Sequence, residues 1–115
     1  MEERINIIVS AVDYKKSSDC IRSILTRLEE MVHEEDSFVI TDSEFAFGWH
    51  FYILSVNKIL ADKLADQIGE RFQKFKGKGL EKKFLTWFSQ QVQEKNLKAK
   101  LAIKEEMESS KYGIF

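Results

Sequence analysis

The segment Phe38–Val56 reads F-V-I-T-D-S-E-F-A-F-G-W-H-F-Y-I-L-S-V and carries the strongest strand signal in the chain. Residues 38–41 are β-branched or aromatic and predict a strand, and 45–56 predict a second, longer one. Between them, Asp-Ser-Glu at 42–44 predicts a turn. A three-residue connection between two strands indicates an antiparallel hairpin, 38–41 paired with 45–56.

The second strand of this hairpin alternates with period two, which sends neighbouring side chains to opposite faces. We therefore expect one face to carry an aromatic row and to be the floor on which helices pack. Gly48 lies inside the predicted strand, where it indicates a bulge or a close approach of another backbone. The expected row consists of Phe45, Phe47, Trp49, Phe51 and Ile53.

The N-terminal segment 4–12, R-I-N-I-I-V-S-A-V, predicts a third strand because it is rich in β-branched residues. A helix is the alternative, since Ile5, Ile8, Val9 and Val12 also fit a period of 3.6. The strand is favoured because strong helix formers are few and no capping residue precedes the segment.

Three helices complete the pattern. Ser17-Ser18-Asp19 supplies capping residues for an amphipathic helix over 19–34. Apolar residues at helical spacing predict a helix over 57–76, which Gly77-Lys78-Gly79 ends, and a last helix over 80–110. Strands and helices do not alternate regularly, so the sequence predicts an α+β fold: a small, mainly antiparallel sheet with helices against one face.

At 115 residues, the chain has the size of one domain, and residues 1–115 are expected to share a single core. Its one cysteine, Cys20, cannot form an intramolecular disulfide, which favours a reducing, cytoplasmic location. No apolar stretch is long enough for a membrane span.

The net charge of −1 hides two opposed halves. Residues 1–55 carry eleven acidic and five basic side chains, and residues 56–115 carry eight and thirteen, so the halves differ in sign at −6 and +5. Folding can intermingle the two halves; otherwise each marks a surface that faces a partner. The acidic candidates and the nearby histidine are Glu29, Glu30, Glu34, Glu35, Asp36, Asp42, Glu44 and His50.

These acidic residues flank a predicted helix end and a predicted turn, which could lie close together. Such a patch would attract a basic protein and speed its association. A solvated rim is the competing interpretation for most of the individual residues.

Positive charge is concentrated in residues 71–83, where phenylalanines are interleaved with basic side chains. A mobile basic connector of this kind can neutralise nucleic-acid phosphates. The phenylalanines, however, continue the apolar stripes of the flanking helices, which favours core packing. The basic candidates are Arg71, Lys74, Lys76, Lys78, Lys82 and Lys83.

No nucleotide-binding, zinc-protease or calcium-loop motif is present in the sequence. Cys20 and His33 lie on one predicted helix, thirteen residues and roughly 20 Å apart, so they cannot pair as nucleophile and base. Neither 33–36 nor the set Asp42, Glu44 and His50 has the spacing of a metal site. We therefore predict no enzyme, no metal and no cofactor.

The hairpin segment resembles the strand pair of some small bacterial immunity proteins. In those proteins a short strand and an acidic turn precede a Gly-Trp-x-Phe strand, matched here by Gly48, Trp49 and Phe51. The resemblance implies a cytosolic, antitoxin-like protein that neutralises a toxin by occluding it.

Our leading functional hypothesis is thus a protein-binding inhibitor, of immunity or counter-defence type, that uses an acidic surface against a basic partner such as a toxin domain. The alternatives are a nucleic-acid-associated regulatory protein, which would use the basic segment 71–83, and a structural homodimer.

Overall fold

A computed structural model describes residues 3–105 of the chain. Within that range the chain forms five strands and four helices. The strands are β1 (Arg4–Ala11), β2 (Phe38–Ile40), β3 (Glu44–Ala46), β4 (Trp49–Asn57) and β5 (Ala99–Ile103). The helices are α1 (Tyr14–Val32), α2 (Lys58–Ile68), α3 (Glu70–Gln73) and α4 (Gly79–Glu94).

All strand pairs are antiparallel, in the order β2-β4-β1-β5, and β3 continues the β2 edge along β4. The predicted α+β class with a mainly antiparallel sheet is therefore confirmed, and residues 4–11 form a strand rather than a helix.

One face of the sheet contacts the helices. Ile7 of β1 pairs with Leu54 of β4, and alternate residues on either side of this pair are buried in both strands. Leu25, Leu64 and Phe88 from α1, α2 and α4 belong to the same core cluster. The core thus lies between one sheet face and the helices.

The first helix begins five residues earlier than predicted, at Tyr14 rather than at 19. Asp13 is the N-cap, and its carboxylate accepts a hydrogen bond from the Lys16 amide at 2.9 Å. Ser17 and Ser18 are buried inside the helix, where their hydroxyls donate to the carbonyls three residues back. The serine pair predicted as a cap therefore belongs to the helix interior, because an earlier carboxylate already caps it.

The predicted hairpin, 38–41 with 45–56 joined by a turn at 42–44, is wrong in detail. The chain reverses at Phe47-Gly48, between β3 and β4, where Ala46 pairs with Trp49. Residues 41–43 instead form a β-bulge, because the register along β4 shifts by one residue between β2 and β3. An added Cβ on Gly48 would meet nothing within 4 Å, so the expected close approach at this glycine is absent.

The expected aromatic floor is also wrong. The helices pack on the other set of β4 side chains, which includes Tyr52, Leu54 and Val56. Phe51 and Ile53 lie on the opposite face and are half-buried. The two-residue turn breaks the alternation on which the row was based, since it puts Phe45 opposite His50 instead of on the face of Trp49 and Phe51.

The C-terminal helices are shorter than predicted. The helix expected over 57–76 is divided at Gly69, which has a left-handed φ of 59°. The helix expected over 80–110 ends at Glu94, and 99–103 form β5 alongside β1. The spacing of Leu101 and Ile103 favours a helix, but pairing of this segment with β1 prevails. The pairing gives the backbone of β1 hydrogen-bonding partners on the edge that β4 leaves open. Residues 106–110 of that prediction lie outside the described residues.

No helix within residues 3–105 combines the length and the apolar composition that crossing a bilayer requires.

Candidate protein-binding site

The tip of the β3–β4 hairpin presents two phenylalanines to solvent. Phe47 is 97% exposed and Phe45 is 66% exposed. Phe47 and Gly48 form the two-residue connection, and both have positive φ, at 54° and 84°. Positive φ at both central residues is the geometry of a type I′ turn, whose twist matches that of the paired strands.

The left-handed backbone makes Phe47 an unusual residue for its position. The other left-handed non-glycine residues in the described part of the chain are His33, Asp36 and Asn96, residue types that tolerate this conformation. A left-handed conformation costs a residue with an ordinary side chain about 1–2 kcal/mol. Phe47 therefore carries both backbone strain and an unburied ring, and packing within residues 3–105 offsets neither.

The base of the hairpin is held against α1 by an aromatic ladder of Phe45, His50, Tyr14 and Tyr52. The ring centroids of Phe45 and His50 are 4.8 Å apart, and those of Tyr14 and His50 are 6.3 Å apart. Tyr14 also meets Tyr52 edge to face at 4.9 Å. The ladder connects the exposed tip to the buried core.

Hydrogen bonds fix the same region. The Tyr14 hydroxyl donates to the Thr41 carbonyl at 2.9 Å, and the Ser43 hydroxyl lies 3.2 Å from His50 Nδ1. At the root of the ladder, the Tyr52 hydroxyl donates to Ser17 Oγ at 2.7 Å. Burial raises the pKa of Tyr52 to about 12, although the Ser17 hydrogen bond opposes this shift. The base of the hairpin is thus held against α1, while its tip extends into solvent.

The structure divides the predicted acidic surface into two groups. Asp42 and Glu44 lie at the bulge and in β3, where both are exposed, and His50 is half-buried beside them. Residues 29–36 lie at the other end of the sheet, because the Ser37 carbonyl accepts from the amide of Asn57 at the end of β4. Glu44 pairs with Phe51, six residues before Asn57 along β4, so Glu44 and Ser37 are roughly 20 Å apart along the sheet.

Two members of the distal group already have internal partners. The Glu29 carboxylate accepts from the amide and the hydroxyl of Ser37, at 2.8 and 2.7 Å, and so holds the loop after α1. Glu34 forms an ion pair with Lys63. Glu30, Glu35 and Asp36 remain exposed, the first two beside a shallow concavity on α1.

The basic segment 71–83 lies between α3 and α4. Phe72 and Phe84 are fully buried, and Phe75 packs against the core, so the predicted core role of the phenylalanines is confirmed. Lys83 is half-buried and donates to two main-chain carbonyls. The other basic candidates are exposed: Arg71, Lys74, Lys76, Lys78 and Lys82.

The candidate nucleophile and metal ligands are not assembled into a site. Cys20 is half-buried against the core, and burial raises the pKa of its thiol, which the charge of Lys95 opposes. His33 caps the far end of the same helix. Within the described range, no three His, Cys, Asp or Glu side chains are grouped to hold a metal ion.

Comparison of the chain with protein-family models, curated proteins and solved structures finds no match. A function for this chain must therefore be inferred from the hairpin itself. Phe47 was predicted to face inward, and the signal that places it outside is the Phe47-Gly48 pair, a two-residue turn between two strand patterns. Phe45 pairs with His50 on the helix side of the sheet but stays 66% exposed.

Proposed function

We propose that this chain is a protein-binding inhibitor that occludes its partner with the β3–β4 hairpin. The observation that carries the proposal is Phe47, an aromatic side chain that is 97% exposed on a left-handed turn residue. Strain at a site that gains nothing from it within the fold points to a role outside the fold. Aromatic residues that fill a partner's pocket are the usual energetic anchors of protein interfaces.

The partner we propose is a basic protein, such as a toxin domain, with an apolar pocket and a cationic rim. Asp42 and Glu44 are exposed beside the two phenylalanines and would face that rim. The bracing of the hairpin by Tyr14 favours binding, because a contact that is ordered beforehand loses less conformational entropy on association. An immunity or antitoxin-like role in the cytoplasm agrees with this chemistry and with the free thiol of Cys20.

A capture experiment tests the anchor. The immobilised chain, the Phe45→Ser/Phe47→Ser variant and a Met31→Ser/Ile59→Ser control are exposed to extracts of cells that encode the protein. The control also removes two exposed apolar side chains, but from α1 and α2. We expect one basic protein in equimolar amount with the wild type and the control, and a loss of about 2 kcal/mol or more in its affinity for the hairpin variant.

Two outcomes would contradict the proposal. Equal recovery of the same protein by the hairpin variant would show that the hairpin is not the anchor. If the wild type retained no stoichiometric partner and sedimented as a dimer, the structural homodimer would replace the inhibitor.

The distal acidic group is proposed to steer the partner and not to anchor it. Glu30→Lys/Glu35→Lys reverses two exposed charges and leaves the Glu34–Lys63 ion pair intact. Long-range attraction acts on the association rate, so we expect slower association at low salt and an unchanged dissociation rate. Association at the wild-type rate would remove residues 30–36 from the proposal.

A further inference from the structure

A second exposed feature is the connector between α3 and α4, which has three lysines within residues 74–78. Together with Arg71 of α3 they form what we call the basic ridge: Arg71, Lys74, Lys76 and Lys78, all exposed. The ridge has no part in the hairpin proposal.

Side chains of α4 hold the connector in place by binding its main chain. Lys83 Nζ donates to the carbonyls of Gln73 and Phe75, at 2.7 and 2.8 Å. Thr86 Oγ1 donates to the carbonyl of Lys76 at 2.9 Å. Three carbonyls within four residues are thus bound, so the connector is not the mobile segment that its composition suggested.

Packing on the inner side reinforces these bonds. Gly77 has a φ of 111°, and a Cβ placed on it would lie 2.5 Å from Lys82 Cβ. Phe72 is buried just before the connector, and Phe75 packs against the core from within it. The backbone that carries the lysines therefore lies directly on α4.

No ion pair within residues 3–105 neutralises the charges of the ridge. The nearby Glu81 carboxylate is 3.0 Å from Lys58 Nζ, which also binds Glu3. Across residues 3–105, no carboxylate lies within salt-bridge distance of the four ridge side chains. Positive charge is thus concentrated on a held loop of a protein whose net charge is −1.

We propose that the basic ridge binds the phosphate backbone of nucleic acid without reading its sequence. Five extended residues reach at most about 17 Å, and each strand of a duplex carries one phosphate per about 3.4 Å of helix axis, so the lysines can meet several phosphates. The aromatic side chains of this region are turned into the core, which leaves no exposed ring on which a base could stack. Contacts to phosphate alone position a protein and carry no base preference.

The test is a fluorescence anisotropy titration of the full chain with labelled duplex DNA and single-stranded RNA of mixed sequence, at several salt concentrations. With three phosphates neutralised, the logarithm of the duplex association constant should fall against the logarithm of salt with a slope of about −3. In Lys74→Ala/Lys76→Ala/Lys78→Ala, binding should be lost at moderate salt, with the slope reduced by about one for each lysine.

A matched control separates the ridge from net charge. Lys15→Ala/Lys16→Ala/Arg22→Ala removes the same charge from exposed positions of α1, and it should bind as the wild type does.

Each remaining outcome overturns the proposal. Absence of salt-dependent binding by the wild type, or equal loss in the ridge variant and the α1 control, would show that the ridge is not a site. Binding of polyglutamate as strong as that of nucleic acid would assign the ridge to an acidic protein.

Discussion

Two segments of this chain interleave phenylalanine with charged residues, and the fold treats them in opposite ways. In residues 42–47, Phe45 and Phe47 are exposed at the hairpin tip. In residues 71–84, Phe72 and Phe84 are fully buried, while the lysines between them remain at the surface.

The difference comes from the backbone beneath each segment. Phe72 lies in α3 and Phe84 in α4, and each helix turns one side to the core, while the lysines of the connector between the two helices stay exposed. A two-residue turn has no side that faces the core, so a ring in the turn extends into solvent beyond the sheet. Composition alone therefore does not distinguish an anchor for a partner from an anchor for the core.

The largest difference is expected when one exposed and one buried phenylalanine are each truncated to alanine. Phe84→Ala should lower the free energy of unfolding by about 3–5 kcal/mol, because it empties a filled core site. Phe47→Ala should change it by less than about 0.5 kcal/mol, since its ring is in solvent. Urea denaturation measures both. Equal losses would mean that the tip is packed in solution and would remove the basis of the hairpin proposal.

The burial of the Tyr52 hydroxyl, at the core end of the aromatic ladder, can be tested by varying the pH. The folded pKa of Tyr52 is about 12, and that of an unfolded tyrosine is about 10, so the folded state keeps the proton longer. The stability linked to this group is complete below about pH 10 and is lost as pH rises toward 12, by roughly 2–3 kcal/mol.

Tyr52→Phe supplies the comparison for that measurement. It removes the titrating group, and at neutral pH it loses about 1 kcal/mol with the Ser17 hydrogen bond. Urea unfolding at a series of alkaline pH values should show the wild type's advantage of about 1 kcal/mol close and then reverse, by about 1–2 kcal/mol, as pH rises toward 12. A constant gap would place the Tyr52 hydroxyl in water.

The packing of the basic connector predicts a difference between two glycines. Gly77→Ala and Gly79→Ala both put a side chain at positive φ, but only the first brings a Cβ against Lys82. We expect Gly77→Ala to be the more destabilising by about 1–2 kcal/mol, measured by thermal or urea unfolding. If the two variants were equally stable, the connector would not lie against α4.

The smallest expected effect is a gain in folding stability. Asparagine favours the left-handed first position of a type I′ turn, so Phe47→Asn should raise stability by about 1 kcal/mol while it removes the proposed anchor. Phe45→Asn, a change within β3, is the control and should bring no such gain. A less stable Phe47→Asn protein would mean that the ring contributes to folding and that no strain is stored at the tip.

Local patterns predicted most of the architecture. The apolar stripe of α1 is buried, and the β-branched residues of β1 lie in a strand. In both segments the local preference therefore agrees with the tertiary structure. The boundaries at Asp13 and Gly69 were missed because several residues offered comparable caps and breaks, and only the packed structure selects among them.

The candidate site was predicted less well. Asp42, Glu44 and His50 were singled out for their charge and do flank the hairpin, whereas Glu29 and Glu34 serve internal contacts that are invisible without tertiary structure. An unbroken period of two across 45–56 masked the reversal at Phe47-Gly48, so Phe47 was assigned to a helix-facing row with Trp49 and Phe51, whereas it lies in the turn.

Spacing and composition along the chain were enough to predict the class of the domain, the strand β1, the helix α1 and the opposed charge of the two halves. The packed structure was needed to show that 99–103 joins β1 as a strand, that Glu29 and Glu34 lie apart from Asp42 and Glu44, and that Phe47 stays outside. Each of these depends on which distant residues become neighbours, and the hydrogen bonds and burial of those neighbours outweigh the local preference of a short segment.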